Sequence, residues 1–187
     1  VSQLLKHRLI TPLVVFLITT IFWLLAKTAW YEFISLFFGL LVGSFILDLD
    51  HFIYWFYLQP QDNESRLVQL AFTKKDWPTI LQIYLIKHQT HQNLIFHHHL
   101  FQIILVLISL FVFTSSGHVF GMAALLALHL HLFSDQFQLY RQSPDAFQDQ
   151  LFARSSYQLP LSYLNKYLVF YAILMTVFFL LLLQTRL

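Results

Sequence analysis

Apolar residues run along this chain in long blocks, and the polar ones gather at the block ends. Five blocks stand out, at about residues 9 to 26, 31 to 57, 95 to 114, 119 to 133 and 164 to 183. A helix crossing a ~30 Å hydrocarbon core at 1.5 Å per residue needs about 20 apolar residues, with a working range of about 17 to 25. The first, second and fifth blocks meet this unaided. The third and fourth each carry a polar cluster at one end, but Ser115, Ser116, Gly117 and His118 join them, and the pair predicts a helical hairpin. The expected fold is all-α: a single polytopic membrane bundle of about five spans over residues 1–187, with no internal repeat and no low-complexity tract.

The first block follows Lys6, His7 and Arg8. Its apolar run exceeds the roughly 7 to 15 residues of a signal-peptide core and no small-x-small cleavage site follows, so it is expected to be a retained anchor. Lys and Arg set the orientation. With the N-terminus in the cytoplasm, Lys6, Arg8, Arg66, Lys74, Lys75, Lys87, Arg141, Arg154 and Lys166 fall inside, and only Lys27 and Arg186 fall outside. The two cytoplasmic connections, about residues 58 to 94 and 134 to 163, are too long for plain turns. In the first, Asp76 can cap a helix opened by Trp77 and Pro78. Ile80, Leu81, Ile83, Tyr84 and Ile86 give that helix an apolar side suited to the membrane interface, and Lys87 gives it a basic end. The second connection has no clear period and reads as irregular, with room for one short helix.

Composition agrees with a bilayer protein. The chain is 58% hydrophobic and 11% charged, whereas a soluble domain is about a quarter charged. The net charge of +2, with no long basic block, argues against nucleic acid as the main partner. The absence of cysteine excludes disulfides, iron–sulfur clusters, thiolate zinc sites and cysteine nucleophiles.

Histidine changes the picture. Ten are present, and eight fall in three groups: His51; His88, His91, His97, His98 and His99; and His129 with His131. The predicted spans bring Asp48, Asp50 and His51, then His97 to His99, then His129, His131 and Asp135 to one cytoplasmic boundary. An ionisable residue in a membrane is costly unless paired or coordinated, so this convergence points to a metal site or an ion pathway. Asp48 and His51 are three apart and His131 and Asp135 four apart, so each pair can share a helical face. Asp50 and His129 lie two residues from a partner, roughly 200° around a helix. They rank lower unless the helix ends there. Imidazole and carboxylate donors without thiolate suit Zn, Mn or Fe, and more than four candidates leave room for one or two ions. Such an ion lowers the pKa of water toward neutrality.

Blander readings accompany these. His51 alone suits an interfacial histidine, and His97 to His99 a polar helix edge. His7 reads as a membrane-flank charge and His118 as a turn residue. Gly39 and Gly43 form a small-x-x-x-small pair, better suited to a contact inside the bundle than to a dimer seam. Ser44, Ser134 and Ser143 lack a nucleophile elbow.

At these same residues the chain resembles a family. Gly43 to His51, Gly-Ser-Phe-Ile-Leu-Asp-Leu-Asp-His, looks like the Gly-Ser-x-x-Pro-Asp-x-Asp-His signature of the YdjM-like membrane-bound metal-dependent hydrolases. His131-Leu-Phe-Ser-Asp135 is similar to their His-x-x-x-Asp motif. His91-Gln-Asn-Leu-Ile-Phe-His97 is a loose counterpart of their His-Arg-x-x-Thr-His-Ser, with Gln92 at the arginine and His98 at the serine. The resemblance spans about residues 43 to 135. It implies a relation to the zinc-dependent phospholipase C and single-strand nuclease group. Asp48, Asp50, His51, His91, His97, His131 and Asp135 would then be metal ligands, with Asp48, Asp50 and His131 also catalytic. It further implies a bacterial inner-membrane hydrolase acting on a phosphoester of a lipid or lipid-linked substrate. Two alternatives stay open: a di-iron lipid oxygenase, fitted loosely by His88, His91 and the triple histidine, and a non-catalytic metal- or haem-binding membrane protein.

Overall fold

The apolar blocks fold as helices whose ends fall where helical hydrogen bonding is interrupted. The computed structural model describes residues 2–87, 94–153, 155, 156 and 158–186, and every regular element among them is helical. α1 (Ser2–Leu25) packs on α2 (Trp30–Ile46), and a turn containing Lys27 at φ +55° joins them. Beyond Ile46 the helix tightens: Asp48 N bonds Phe45 O at 3.0 Å, Asp50 N bonds Leu47 O at 3.0 Å and His51 N bonds Asp48 O at 3.2 Å. These are three-residue closures. α3 (Leu49–Ile53) then widens into a π-helical turn, Tyr54–Leu58.

α4 (Asn63–Thr73) and α5 (Trp77–Lys87) fold back over this turn. Trp55 is fully buried against Val68, Ala71 and Ile80, its indole donates to Glu64 Oε1 at 2.8 Å, and Gln69 Nε2 donates to the Trp55 carbonyl at 2.8 Å. α5 opens at Trp77 as the sequence predicts. Asp76 accepts from the Thr79 amide at 3.3 Å and from its hydroxyl at 2.7 Å, bonds that lower the Asp76 pKa.

α6 (His99–Ser115) and α7 (Val119–Gln142) form the expected hairpin, turned by Gly117 at φ +56°. α7 is the centre of the molecule and touches α1, α2, α6, α8 and α9. Its closest partner is α2. A Cβ on Gly39 would sit 2.8 Å from Ala123 Cβ, and one on Gly43 would run into the Ala124 carbonyl and come within 2.9 Å of Ala127 Cβ. The small-residue pair is thus a contact face inside the monomer. Leu36, Leu40, Met122, Leu126, Phe178 and Leu182 fill the core around it.

Two expectations need correction, and one helix lies where the sequence reading placed none. α7 does not end near residue 133 but runs to Gln142, because only Pro144 stops it, by forcing Ser143 into extended geometry (φ −156°, ψ 105°). The connection read as irregular with room for one short helix does hold one, α8 (Pro144–Leu151), with the Ser143 hydroxyl accepting from Ala146 N at 3.2 Å, but the extension of α7 makes its first third helical as well. α4 had no sequence signal beyond a weak spacing of Ser65, Val68 and Ala71, which are its buried residues.

α9 (Leu161–Gln184) closes the bundle. Two continuous helical stretches, Trp30–Leu58 and Leu161–Gln184, are long and apolar enough to cross a membrane; Leu9–Leu25 and His99–Ser115 are apolar but shorter. At the far end from the acidic cluster, Arg186 Nη2 pairs with Glu32 Oε1 at 2.7 Å and the Trp23 indole donates to Leu183 O at 3.1 Å.

Candidate metal centre

The break after α2 creates the first partner of the site. Because Asp48 N turns to Phe45 O, the Ser44 carbonyl gives up its helical acceptor role toward that amide. His131, on the facing side of α7, places Nδ1 2.6 Å from this carbonyl. A carbonyl cannot donate, so Nδ1 carries a proton, and Nε2 either presents its lone pair or, in the imidazolium form, donates. That nitrogen is buried and has no hydrogen-bond partner. It lies 3.1 Å from Asp135 Oδ2, one helical turn on, and 3.7 Å from Asp48 Oδ1.

His97 enters from the segment before α6. Its Nδ1 is 3.3 Å from Asp50 Oδ2, and its Nε2 is 3.6 Å from Asp135 Oδ2. Asp50 is fully buried, and its two oxygens also accept from the amides of Ile95, at 3.0 Å, and Phe96, at 2.7 Å. One carboxylate thus fixes both the loop and the ring it delivers. Gln102 adds a bond from Nε2 to His97 O at 3.0 Å, and Tyr167 OH in turn donates to Gln102 Oε1.

The structure therefore brings together Asp48, Asp50, His97, His131 and Asp135, from three stretches of chain. The helical-angle ranking that placed Asp50 low rested on an unbroken α-helix. Three-residue closure turns Asp50 to about 120° from Asp48 instead of about 160°. His51 is buried, with its ring 5.1 Å from that of Tyr84 and 6.1 Å from that of Trp55. His91 lies outside the described residues.

The other histidines separate by role. His98 Nδ1 caps α6 by accepting from Leu100 N at 3.3 Å, and His99 Nδ1 donates to Leu151 O at 3.1 Å. His129 sits in the core between Ser109 Oγ, at 2.9 Å, and Tyr171 OH, at 2.6 Å.

Sequence reasoning missed Tyr84, whose hydroxyl donates to Asp48 Oδ1 at 2.7 Å. Its place on the apolar side of α5 was legible; that this side would lie against Asp48 was not. The Ser44 carbonyl was equally hidden, since every residue has one.

Among the described residues no three His, Asp or Glu groups already converge as a metal centre holds them. What is present is a connected row of donors: Asp48 Oδ1, His131 Nε2, Asp135 Oδ2 and His97 Nε2. A lone pair facing two carboxylates in a buried site calls for a cation, either a proton shared as an ion pair or a metal ion. No protein-family model matches the chain, and neither the curated proteins nor the solved structures show a significant match to it.

Proposed function

We propose that the chain is a membrane-bound metal-dependent hydrolase acting on a phosphoester of a lipid or lipid-linked substrate, in line with its resemblance to the YdjM-like family. The observation that carries this reading is His131 Nε2, buried, without a well-formed hydrogen bond, and 3.1 Å from Asp135 Oδ2 and 3.7 Å from Asp48 Oδ1. Donors bound to one zinc at about 2.0–2.2 Å in a tetrahedral array stand about 3.3–3.6 Å apart. Neighbouring donors along the row stand 3.1, 3.6 and 3.7 Å apart, so the row would have to close around an ion for all four to bind it at once.

Asp48, His97, His131 and Asp135 would hold the ion, and the other residues orient them. Asp50 fixes His97, the Ser44 carbonyl fixes the His131 tautomer, and Tyr84 fixes Asp48, the outer-shell arrangement that tunes metal ligands. The ion, zinc or alternatively manganese or iron, supplies Lewis acidity toward a phosphoryl oxygen and toward water. Asp48 and Asp135 are both partly exposed, and Asp48, which also borders an apolar pocket, would take a proton from an attacking water. The arrangement in the bilayer is five spans with the N-terminus inside. Its support is the wide belt of exposed apolar side chains on α1, α6 and α9, among them Leu13, Leu17, Ile104, Phe111, Phe170 and Ile173.

Elemental analysis of detergent-purified protein tests the reading. About one or two equivalents of zinc, manganese or iron are expected, lost in both Asp48→Ala and His131→Ala together with phosphodiester turnover. A wild-type protein that holds no metal and takes none up would mean that the row is an ion-pair network, and would end the hydrolase reading.

A further inference from the structure

Beside the donor row lies an apolar trough of about 610 Å³ that the chemistry above does not use. Phe45, Phe52 and Trp55 form one wall, and Trp77, Leu81 and Leu85 of α5 form the other. Positions 77, 81 and 85 repeat every four residues, so the trough follows one face of α5. Phe45, Phe52, Trp77 and Leu81 are each more than a third exposed, so both walls of the trough are accessible from outside. Among the described residues its lining holds a single charged side chain, Asp48. The Tyr84 hydroxyl, its other strongly polar group, is bonded to that same carboxylate. The trough therefore leads to the end of the donor row, where Asp48 Oδ1 is 3.7 Å from His131 Nε2.

We propose that this trough seats one hydrocarbon chain of a membrane phospholipid whose phosphate lies at the Asp48–His131 end. The placing of the phosphate rests on the metal reading, because an anion beside Asp48 and Asp135 needs a cation between them. The placing of the chain rests on the trough alone. A soluble phosphoester has no partner along these apolar walls, and lipid that merely surrounds a helix needs no carboxylate at the end of its path. A phospholipid fits both ends.

Native mass spectrometry of detergent-purified protein tests this, with dioleoyl phosphatidic acid as the probe. Dihexanoyl phosphatidic acid and dioleoylglycerol serve as comparison lipids, and elemental analysis is run on the same samples. Leu81→Trp fills the trough; Leu67→Trp adds the same bulk at an exposed position of α4 outside it. One dioleoyl phosphatidic acid should be retained by wild type and by Leu67→Trp. Retention should fall by about tenfold or more for Leu81→Trp and for the short-chain lipid, with metal content unchanged by either substitution. Equal retention by Leu81→Trp and Leu67→Trp, or equal retention of dioleoylglycerol and dioleoyl phosphatidic acid, overturns the proposal whatever the metal content. A metal-free protein whose retention still falls with Leu81→Trp keeps the chain in the trough and overturns the hydrolase reading instead.

Discussion

His129 and His131 stand two residues apart on α7, yet the helix sends one into the apolar core and the other to the carboxylates. His129→Phe should therefore retain whatever metal the protein holds while losing about 1–3 kcal/mol of stability, because the Tyr171 and Ser109 hydroxyls lose a buried partner. Thermal unfolding beside elemental analysis reads both. Asp50 is the opposite case, a residue that acts through others. In Asp50→Asn one side-chain oxygen becomes an amide that can only donate, facing the Ile95 and Phe96 amides and His97 Nδ1. The expected result is about 2–3 kcal/mol lower stability, with metal affinity reduced about 10–100-fold in chelator competition. Undiminished affinity would remove Asp50 from the positioning of His97. The residue types at the site were legible because acids and histidines in apolar surroundings are conspicuous. Their division of labour was not, since a ring's tautomer depends on the partner that the fold supplies.

Between elements, the α2–α7 contact decides whether the donors meet. Ser44 and Asp48 belong to the end of α2 and the turn after it, while His131 and Asp135 belong to α7, so their distances depend on how closely the two backbones approach. Gly43→Ala places a methyl group against the Ala124 carbonyl and should cost about 1–3 kcal/mol. It should also weaken metal retention, though no donor is changed. Gly121→Ala is the control: its Cβ meets only Val112 Cγ1, at 3.6 Å, and both stability and metal content should stay near wild type. Paired melting curves and metal analysis check this. Periodic apolar blocks made α1, α2, α6 and α9 legible. α4 and the end of α7 were not, because their helicity depends on burying Val68 beneath Trp55, and Gln136 and Leu139 inside the bundle. No long apolar run marks them.

For the whole molecule, the proposed five-span arrangement with the N-terminus inside has a direct test, because the chain contains no cysteine. Gln61 and Ser116 are both exposed, one in the turn before α4 and one in the α6–α7 turn. Ser116→Cys should react with a membrane-impermeant maleimide in intact cells, and Gln61→Cys only after permeabilisation; the reverse pattern would invert the orientation. Length, hydropathy and the placing of polar residues at block ends determined by themselves that the chain is helical, that α6 and α7 form a hairpin, and that Asp48, Asp50, His97, His131 and Asp135 were candidates to meet, though His129, grouped with them, lies in the core. These follow from local backbone hydrogen bonding and from the cost of isolated polar groups, both carried by near neighbours in sequence. Only the tertiary structure decided that Asp50 serves His97, that a carbonyl freed at the end of α2 fixes His131, and that Tyr84 and a trough along α5 adjoin Asp48. Those contacts join residues 36 to 87 positions apart. They exist only because two glycines let α2 and α7 close together and because α5 folds back over the break.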